Sequence, residues 1–412
     1  MTMVDPEAVA GQVLRDEDEV EARIRAICFK TGPPALIGAE LEWTVHRTDA
    51  PAAPLEADLL RQALGPHTPE TLDPHDHPNR PLPLPAGGIV TAEPGGQLEI
   101  SSAPATSPAG LHRAVTTDLR HLKDLLRAVG LRLGEHGIDP HRPPRRLLDT
   151  PRYAAMEHSF DLDGPDGRRM MGSTAGLQVC LDAGTPGQVG LRWAAVSALG
   201  PVLLAAFANS RRHAGRDTGW ASARMATWWG MDPRLSHPPD TSATDPATAW
   251  ARYALEAPLL CLRRPEGDWN PPPGVTLRDW VKGALPLRPT YDDLDYHLST
   301  LFPPVRPRGY LEIRYLDAQP GAGWFAPVAV LATLLADDAT TQAALDLATP
   351  TADRWLAAAK RGLADPELRH GAGRVLDLAC HRLDRTDLPA AVREQVIDTV
   401  QRLLRDADHT GK

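Results

Sequence analysis

At 412 residues the chain is long enough to bury a large core, and 42% hydrophobic with 24% charged residues is ordinary for a folded globular protein. Forty-four Lys and Arg against 53 Asp and Glu leave a net charge of −9, which argues against a nucleic-acid-binding surface. Cys28, Cys180, Cys261 and Cys380 stand far apart with no CxxC pair, which argues against a disulfide framework or a zinc cluster and fits a reducing cytoplasm.

The first thirty residues lack the apolar run of a signal peptide. Residues 6–28 predict an amphipathic helix from Val9, Val13, Val20, Ile24 and Ile27. Residues 37–45 alternate, with Ala39, Leu41, Trp43 and Val45 on one side and Gly38, Glu40, Glu42 and Thr44 on the other, which is a half-buried strand. A helix is expected over 56–64, then a loop over 65–88 whose His67, His75 and His77 have no frame to fix a metal. A strand follows at 97–102, a helix at 108–129, a short strand at 131–133, a helix at 153–160 and a strand at 177–181. Residues 186–209 read as one long buried helix, too short in its apolar part to span a bilayer comfortably.

Residues 211–246, irregular and rich in Trp, Gly and Pro, suit a loop that covers a substrate. Short helices at 247–255, 277–282 and 291–301 precede a strand at 310–316. From 324 to 406 the chain turns helical, with breaks near Pro350, Pro366 and Pro389. Strands separated by helices, then a run of helices, make the fold class α+β. We take residues 1–412 as one catalytic domain: N-terminal helix 6–28, sheet 37–320, helical region 324–406.

Parity within the strands carries the chemistry. Gln97, Glu99 and Ser101 share a face opposite Leu98 and Ile100. Gln178, Cys180 and Asp182 oppose Leu177, Val179 and Leu181, and Glu312 and Arg314 share a face with Tyr310. Four strands, each apolar behind and polar in front, describe one sheet with a charged concave face. Glu40, Glu42, Glu93, Glu99 and Glu312, with Arg314 as the single obvious cation, repel one another there, and divalent cations relieve this most simply. All-oxygen donors suit Mg²⁺ or Mn²⁺ rather than zinc, and magnesium held by a few carboxylates commonly takes substrate phosphates as well. Neither G-x-x-x-x-G-K-[ST] nor a strand-following G-x-G-x-x-G is present, so no P-loop or Rossmann cradle is expected. The plainer reading of the same residues is an acidic sheet surface with no ligand.

The stretches IGAELEW (37–43), EPGGQLEISS (93–102), PRYAAME (151–157), MMGSTAGLQVCLD (170–182), FANS (207–210), YALEAPLL (253–260), RDW (278–280) and PPVRPRGYLEIRYLDAQP (303–320) together resemble the plant-type glutamate–cysteine ligases. They are most similar to the actinobacterial branch that makes γ-glutamylcysteine for ergothioneine. The resemblance implies a glutamine-synthetase-like catalytic domain, its antiparallel, funnel-shaped sheet flanked by helices and holding two or three magnesium ions and ATP. By the same resemblance Glu40, Glu42, Glu99 and Glu312 become magnesium ligands with Gln178 beside them, and Arg314 a phosphate-facing catalytic cation. Arg152, Arg224 and Glu93 become substrate-binding. Arg224 also has a structural reading, as an arginine stacked among Trp220, Trp228 and Trp229.

The implied reaction is ATP-dependent amide formation between the γ-carboxylate of glutamate and the amine of cysteine, with small molecules as the only partners and no membrane. A γ-glutamyl ligase of the same fold with another small amino acid as acceptor is the second reading, and no general base is assigned. One departure stands out: the family usually reads QVN where this chain has Gln178-Val179-Cys180. A neutral thiol is a weak magnesium ligand, so Cys180 is read as filling space rather than reacting.

Overall fold

The computed structural model describes residues 11–72, 80–240 and 245–410. Its strands in chain order are β1 (Ile37–Trp43), β2 (Val45–Arg47), β3 (Ile89–Ala92), β4 (Leu98–Ser101), β5 (Leu131–Leu133), β6 (Gly176–Leu181), β7 (Arg212–His213), β8 (Arg216–Asp217), β9 (Val305–Pro307) and β10 (Leu311–Asp317). Six of them form one sheet in the order β3-β4-β1-β6-β10-β9, with every neighbouring pair antiparallel. The four strands expected from parity are its four central ones. β2 pairs with β5, and β7 with β8.

Register decides which side chains meet. Glu42 lies opposite Glu99, Glu40 between Ser101 and Gln178, and Glu312 between Cys180 and Arg306. Between Ile313 and Leu316 the pairing with β6 shifts, a bulge that re-aims side chains. Arg314 faces the front, while Tyr315 reaches back to donate to the Val196 carbonyl at 3.2 Å.

The alternate residues Ala39, Leu41, Leu98, Ile100, Val179 and Ile313 are buried on the back of the sheet. Helices Pro108–Ala128, Gly200–Ala206 and Phe325–Leu334 pack there. The first shows why. Ser107 caps it by accepting from the Gly110 N–H, Pro108 fits its first turn, and Leu111, Val115, Leu119, Leu122 and Leu126 make one apolar stripe. Each such leucine contributes about 2 kcal/mol by burial.

Several expectations are corrected. The helix expected over 6–28 begins at Glu17, capped by Asp16, because residues 11–16 run instead to a bridge between Val13 and Thr290. Residues 6–10 lie outside the described residues. The long helix over 186–209 is two, Val189–Ala198 and Gly200–Ala206, bent by 41°. Pro201 cannot donate into a continuous helix, and a Cβ on Gly200 would sit 1.8 Å from the Trp355 ring. The stretch 211–246 carries the β7–β8 hairpin and helices Ala223–Trp229 and Pro233–Ser236, the former capped by Ser222. His67 bonds the Leu82 carbonyl at 2.8 Å, and His75 and His77 lie outside the described residues. The C-terminal breaks near Pro350, Pro366 and Pro389 are present, with one more at 335–337 where Asp337 caps the next helix. Among the described residues no single helix is long and apolar enough to cross a membrane.

Candidate active site

The front of the sheet floors a cavity of about 400 Å³. Its walls are Arg152, Tyr153 and Met156 of helix Pro151–Asp161, Met170 and Met171 of helix Asp166–Ser173, and Trp228. One side of the floor, on β1 and β4, is acidic. Glu42 is oriented by two donors, the Gly176 N–H to Oε2 at 2.6 Å and Gln178 Nε2 to Oε1 at 2.8 Å. Glu99 Oε1 accepts from Thr91 at 2.9 Å and Ser101 at 2.8 Å. Glu93 sits at the β3–β4 turn, and among the described residues no hydrogen bond reaches its carboxylate or that of Glu40. Burial first, and repulsion from Glu312 and Glu99 next, pushes Glu40 up to about 8. Burial with Glu93 and Glu42 raises Glu99 to about 8, and burial with Glu42 raises Glu93 to about 7.

The other side, on β9 and β10, is cationic. Glu312 is fully buried and accepts from Arg306 Nε at 2.6 Å, Arg306 Nη2 at 3.2 Å, Arg308 Nη1 at 3.3 Å and Arg314 Nη1 at 3.0 Å. Burial alone would raise its pKa, but the guanidinium groups of Arg306 and Arg314 hold it far below the usual carboxylate range. Between the two sides stands Gln178, whose Oε1 accepts from Arg314 Nη1 at 2.5 Å while its Nε2 donates to Glu42.

Seven of the nine expected site residues, Glu40, Glu42, Glu93, Glu99, Arg152, Gln178 and Arg314, line this cavity, while Glu312 is buried beside it and Arg224 in the core. Arg224 does not line the cavity. It is 1% exposed, stacks 4.7 Å from the Trp228 ring centroid and donates from Nη2 to the Arg314 carbonyl at 2.8 Å, with Asp317 4.0 Å away. The stacked structural reading describes it, since the helix Ala223–Trp229 turns it into the core. Glu312, expected as a magnesium ligand, here accepts from Arg306, Arg308 and Arg314. Gln178, expected beside the magnesium ligands, here bonds Arg314 through its carbonyl oxygen. Arg152 does reach the cavity, donating to Ser299 Oγ and O at 3.0 Å each and lying 5.0 Å from the Tyr296 ring. Arg306 and Arg308, which join Arg314, were missed as site residues. The signal is in the sequence: Arg306, Arg308, Tyr310, Glu312 and Arg314 recur at every second position through a tight turn at Gly309. Cys180 lies on the same face, its thiol held neutral by burial and by Glu40 and Glu312.

The acidic side fits a divalent cation by donor chemistry: carboxylate oxygens in a polar cavity, two of them without a hydrogen bond and three with raised proton affinity. Among the described residues no three His, Cys, Asp or Glu side chains converge to chelate an ion unaided. A cation here would keep water or phosphate oxygens in its shell, which is the habit of magnesium.

A family model described as glutamate–cysteine ligase family 2 matches residues 36–412. The chain belongs to this family. Within the glutamate–cysteine ligases it is 37% identical to glutamate–cysteine ligase EgtA of Mycolicibacterium smegmatis, covering 92% of this chain and 86% of that protein. Its identity to the EgtA of Mycobacterium tuberculosis is 39% with the same coverage. The chloroplastic glutamate–cysteine ligase of Arabidopsis thaliana is 31% identical, over 76% of this chain and 63% of that protein. Among solved structures, the glutamate–cysteine ligase of Francisella tularensis in complex with AMP superposes with a TM-score of 0.42 at 12% identity, over 92% of this chain and 95% of that one. The family expected from the motifs is the family found, and the chain is a ligase.

Proposed function

We propose that the chain joins the γ-carboxylate of glutamate to the amine of cysteine through a γ-glutamyl phosphate formed from ATP, releasing ADP and phosphate. One observation carries this reading: an acidic side and an arginine side share one face of one sheet inside one cavity. A carboxylate is a weak electrophile, and phosphorylation gives it a leaving group. The γ-phosphoryl passes to a γ-carboxylate oxygen, the amine then forms the C–N bond, and the acyl phosphate C–O bond breaks.

Arg314, fixed by Gln178 and Glu312, offers a preoriented cation to the transferring oxygens. Arg152, held against Ser299, suits a substrate carboxylate, and Glu93 a substrate ammonium. Trp228, Phe302 and the methionine wall exclude water from the acyl phosphate. Glu40, Glu42 and Glu99 would hold magnesium, which when bound spreads charge over phosphate oxygens.

The test is product analysis with glutamate, ATP, Mg²⁺ and a panel of amines. γ-Glutamylcysteine, ADP and phosphate are expected in equal amounts, with cysteine as the preferred amine. ADP release that ignores cysteine, or full turnover after exhaustive chelation, refutes the proposal.

A further inference from the structure

A second cavity, about 780 Å³ against about 400 Å³ for the catalytic one, lies behind the catalytic cavity's own wall. Helix Asp166–Ser173 gives Met170 and Met171 to the catalytic cavity and Arg169 to this one. Helix Ala223–Trp229 gives Trp228 to the first and Ala223 and Ala226 to the second. The volume falls within the range of small-molecule sites, about 300–1,000 Å³. The β7–β8 hairpin closes the other side and is fixed to the loop before it. The Ala214 N–H donates to the Asp139 carbonyl at 3.2 Å, the Gly215 N–H to that of Pro140 at 2.7 Å, and His213 Nδ1 to that of Asp139 at 3.0 Å. The cavity is therefore built into the fold.

Its lining names a ligand. Pro143, Pro144 and the half-buried Trp220 offer apolar and aromatic surface. Most of its charges cancel: Arg169 pairs with Asp166 at 2.7 Å, and Asp217 with Arg211 at 2.9 Å. Arg216, exposed on β8, has no ion pair or hydrogen bond among the described residues, so one guanidinium is left over and a monoanion balances it. A carbonyl can only accept, so His213 Nδ1 carries the proton; burial disfavours a second one, which leaves Nε2 as an acceptor. A planar carboxylate meets a guanidinium fork through two oxygens, and a flat ring lies well against an indole. We propose that this cavity is a second ligand site, for a small aromatic monocarboxylate bearing a hydroxyl or N–H donor. Arg216 anchors the charge, Trp220 meets the ring and His213 accepts from the donor. The inference stands apart from the ligase reading, since none of these three residues lines the catalytic cavity.

The test is isothermal titration of the full chain with para-hydroxybenzoate and with para-hydroxybenzyl alcohol, which keeps the ring and hydroxyl but lacks the charge. Saturable binding of one para-hydroxybenzoate per chain is expected, and saturating ATP with Mg²⁺ should change its affinity by no more than about twofold. The alcohol should bind about tenfold more weakly, the worth of a charge-assisted hydrogen bond. Arg216→Gln should weaken the acid by about tenfold and leave the alcohol within about twofold. Trp220→Leu should weaken both probes. Each variant is checked by circular dichroism, and Arg216, being exposed, can be replaced without disturbing the core. Absence of saturable binding, displacement of para-hydroxybenzoate by ATP with Mg²⁺, or wild-type affinity for it in Arg216→Gln overturns the inference.

Discussion

Glu40 and Glu312 are the same residue type on the same face of the same sheet, two strands apart, and their fates are opposite. Burial and neighbouring carboxylates push Glu40 up to about 8, whereas three arginines hold Glu312 far below the ordinary range despite complete burial. Burial alone therefore does not set the charge of a site; the company that strand order provides does. β1 is flanked by Glu99 of β4, and β10 by Arg306 of β9. The result is a cavity polarised across its width, one side short of cations and the other short of anions. A magnesium–phosphate ligand, as proposed, would supply both.

The largest expected effect comes from removing the fixed cation. Arg314→Gln should lower turnover by about a hundred- to thousandfold, a far larger effect than its shift in melting temperature, because Arg306 and Arg308 keep Glu312 paired. Steady-state kinetics beside a thermal melt would show it, and near-wild-type turnover would erase the distinction between the two sides. Arg224→Met should do the reverse. It removes the charge partner of Asp317 in the core, which Asn209, Ser210 and Ser222 still hydrogen-bond, and should cost about 3 kcal/mol, read as a lowered denaturant midpoint.

The pH response sharpens the comparison further. An acid whose folded pKa exceeds its unfolded value, as for Glu40, Glu93 and Glu99, stabilises the fold while protonated and loses that contribution as pH rises through about 7 to 8. Metal-free protein should therefore lose thermal stability between pH 5 and about 8.5, and Glu99→Gln or added Mg²⁺ should flatten the decline. Glu312 has the opposite sign: its contribution is present throughout that window and is lost only in strong acid. Stability that stayed level from pH 5 to 8.5 without metal would contradict the raised pKa values.

Arg152→Gln should raise the KM of one substrate by about tenfold with kcat little changed, as follows from its proposed role in positioning a substrate outside the arginine cluster. The smallest effect belongs to Cys180→Ser, which should keep turnover within about threefold because a neutral, half-buried thiol contributes packing rather than chemistry. Abolished turnover in that variant would give Cys180 a reactive part.

How much of this was legible in the sequence follows from how far each signal reaches. Period-two alternation is local, so Glu40, Glu42, Glu99, Gln178, Glu312 and Arg314 could be assigned to one face before any strand was paired. Pairing itself is not local. That Arg306 lies opposite Glu312 depends on a three-residue strand too short and too Pro-rich to announce itself. Family resemblance puts Arg224 at the substrate, in a stretch that reads as loop. Ser222 caps a helix there, and one helical turn decides whether an arginine points to the cavity or the core. The split at Gly200-Pro201 is visible as residues, yet what bars a Cβ at position 200 is the Trp355 ring 155 positions away.

Gln178 has a mechanical consequence. One amide grips Arg314 with its oxygen and Glu42 with its nitrogen, so neither partner can shift alone. A guanidinium drawn towards an arriving anion tugs the amide, and the amide tugs the carboxylate beyond it. Occupancy on one flank is thus felt on the other, which is the wiring of synergistic rather than independent loading. Cutting that tether with a shortened side chain should leave both flanks functional but deaf to each other.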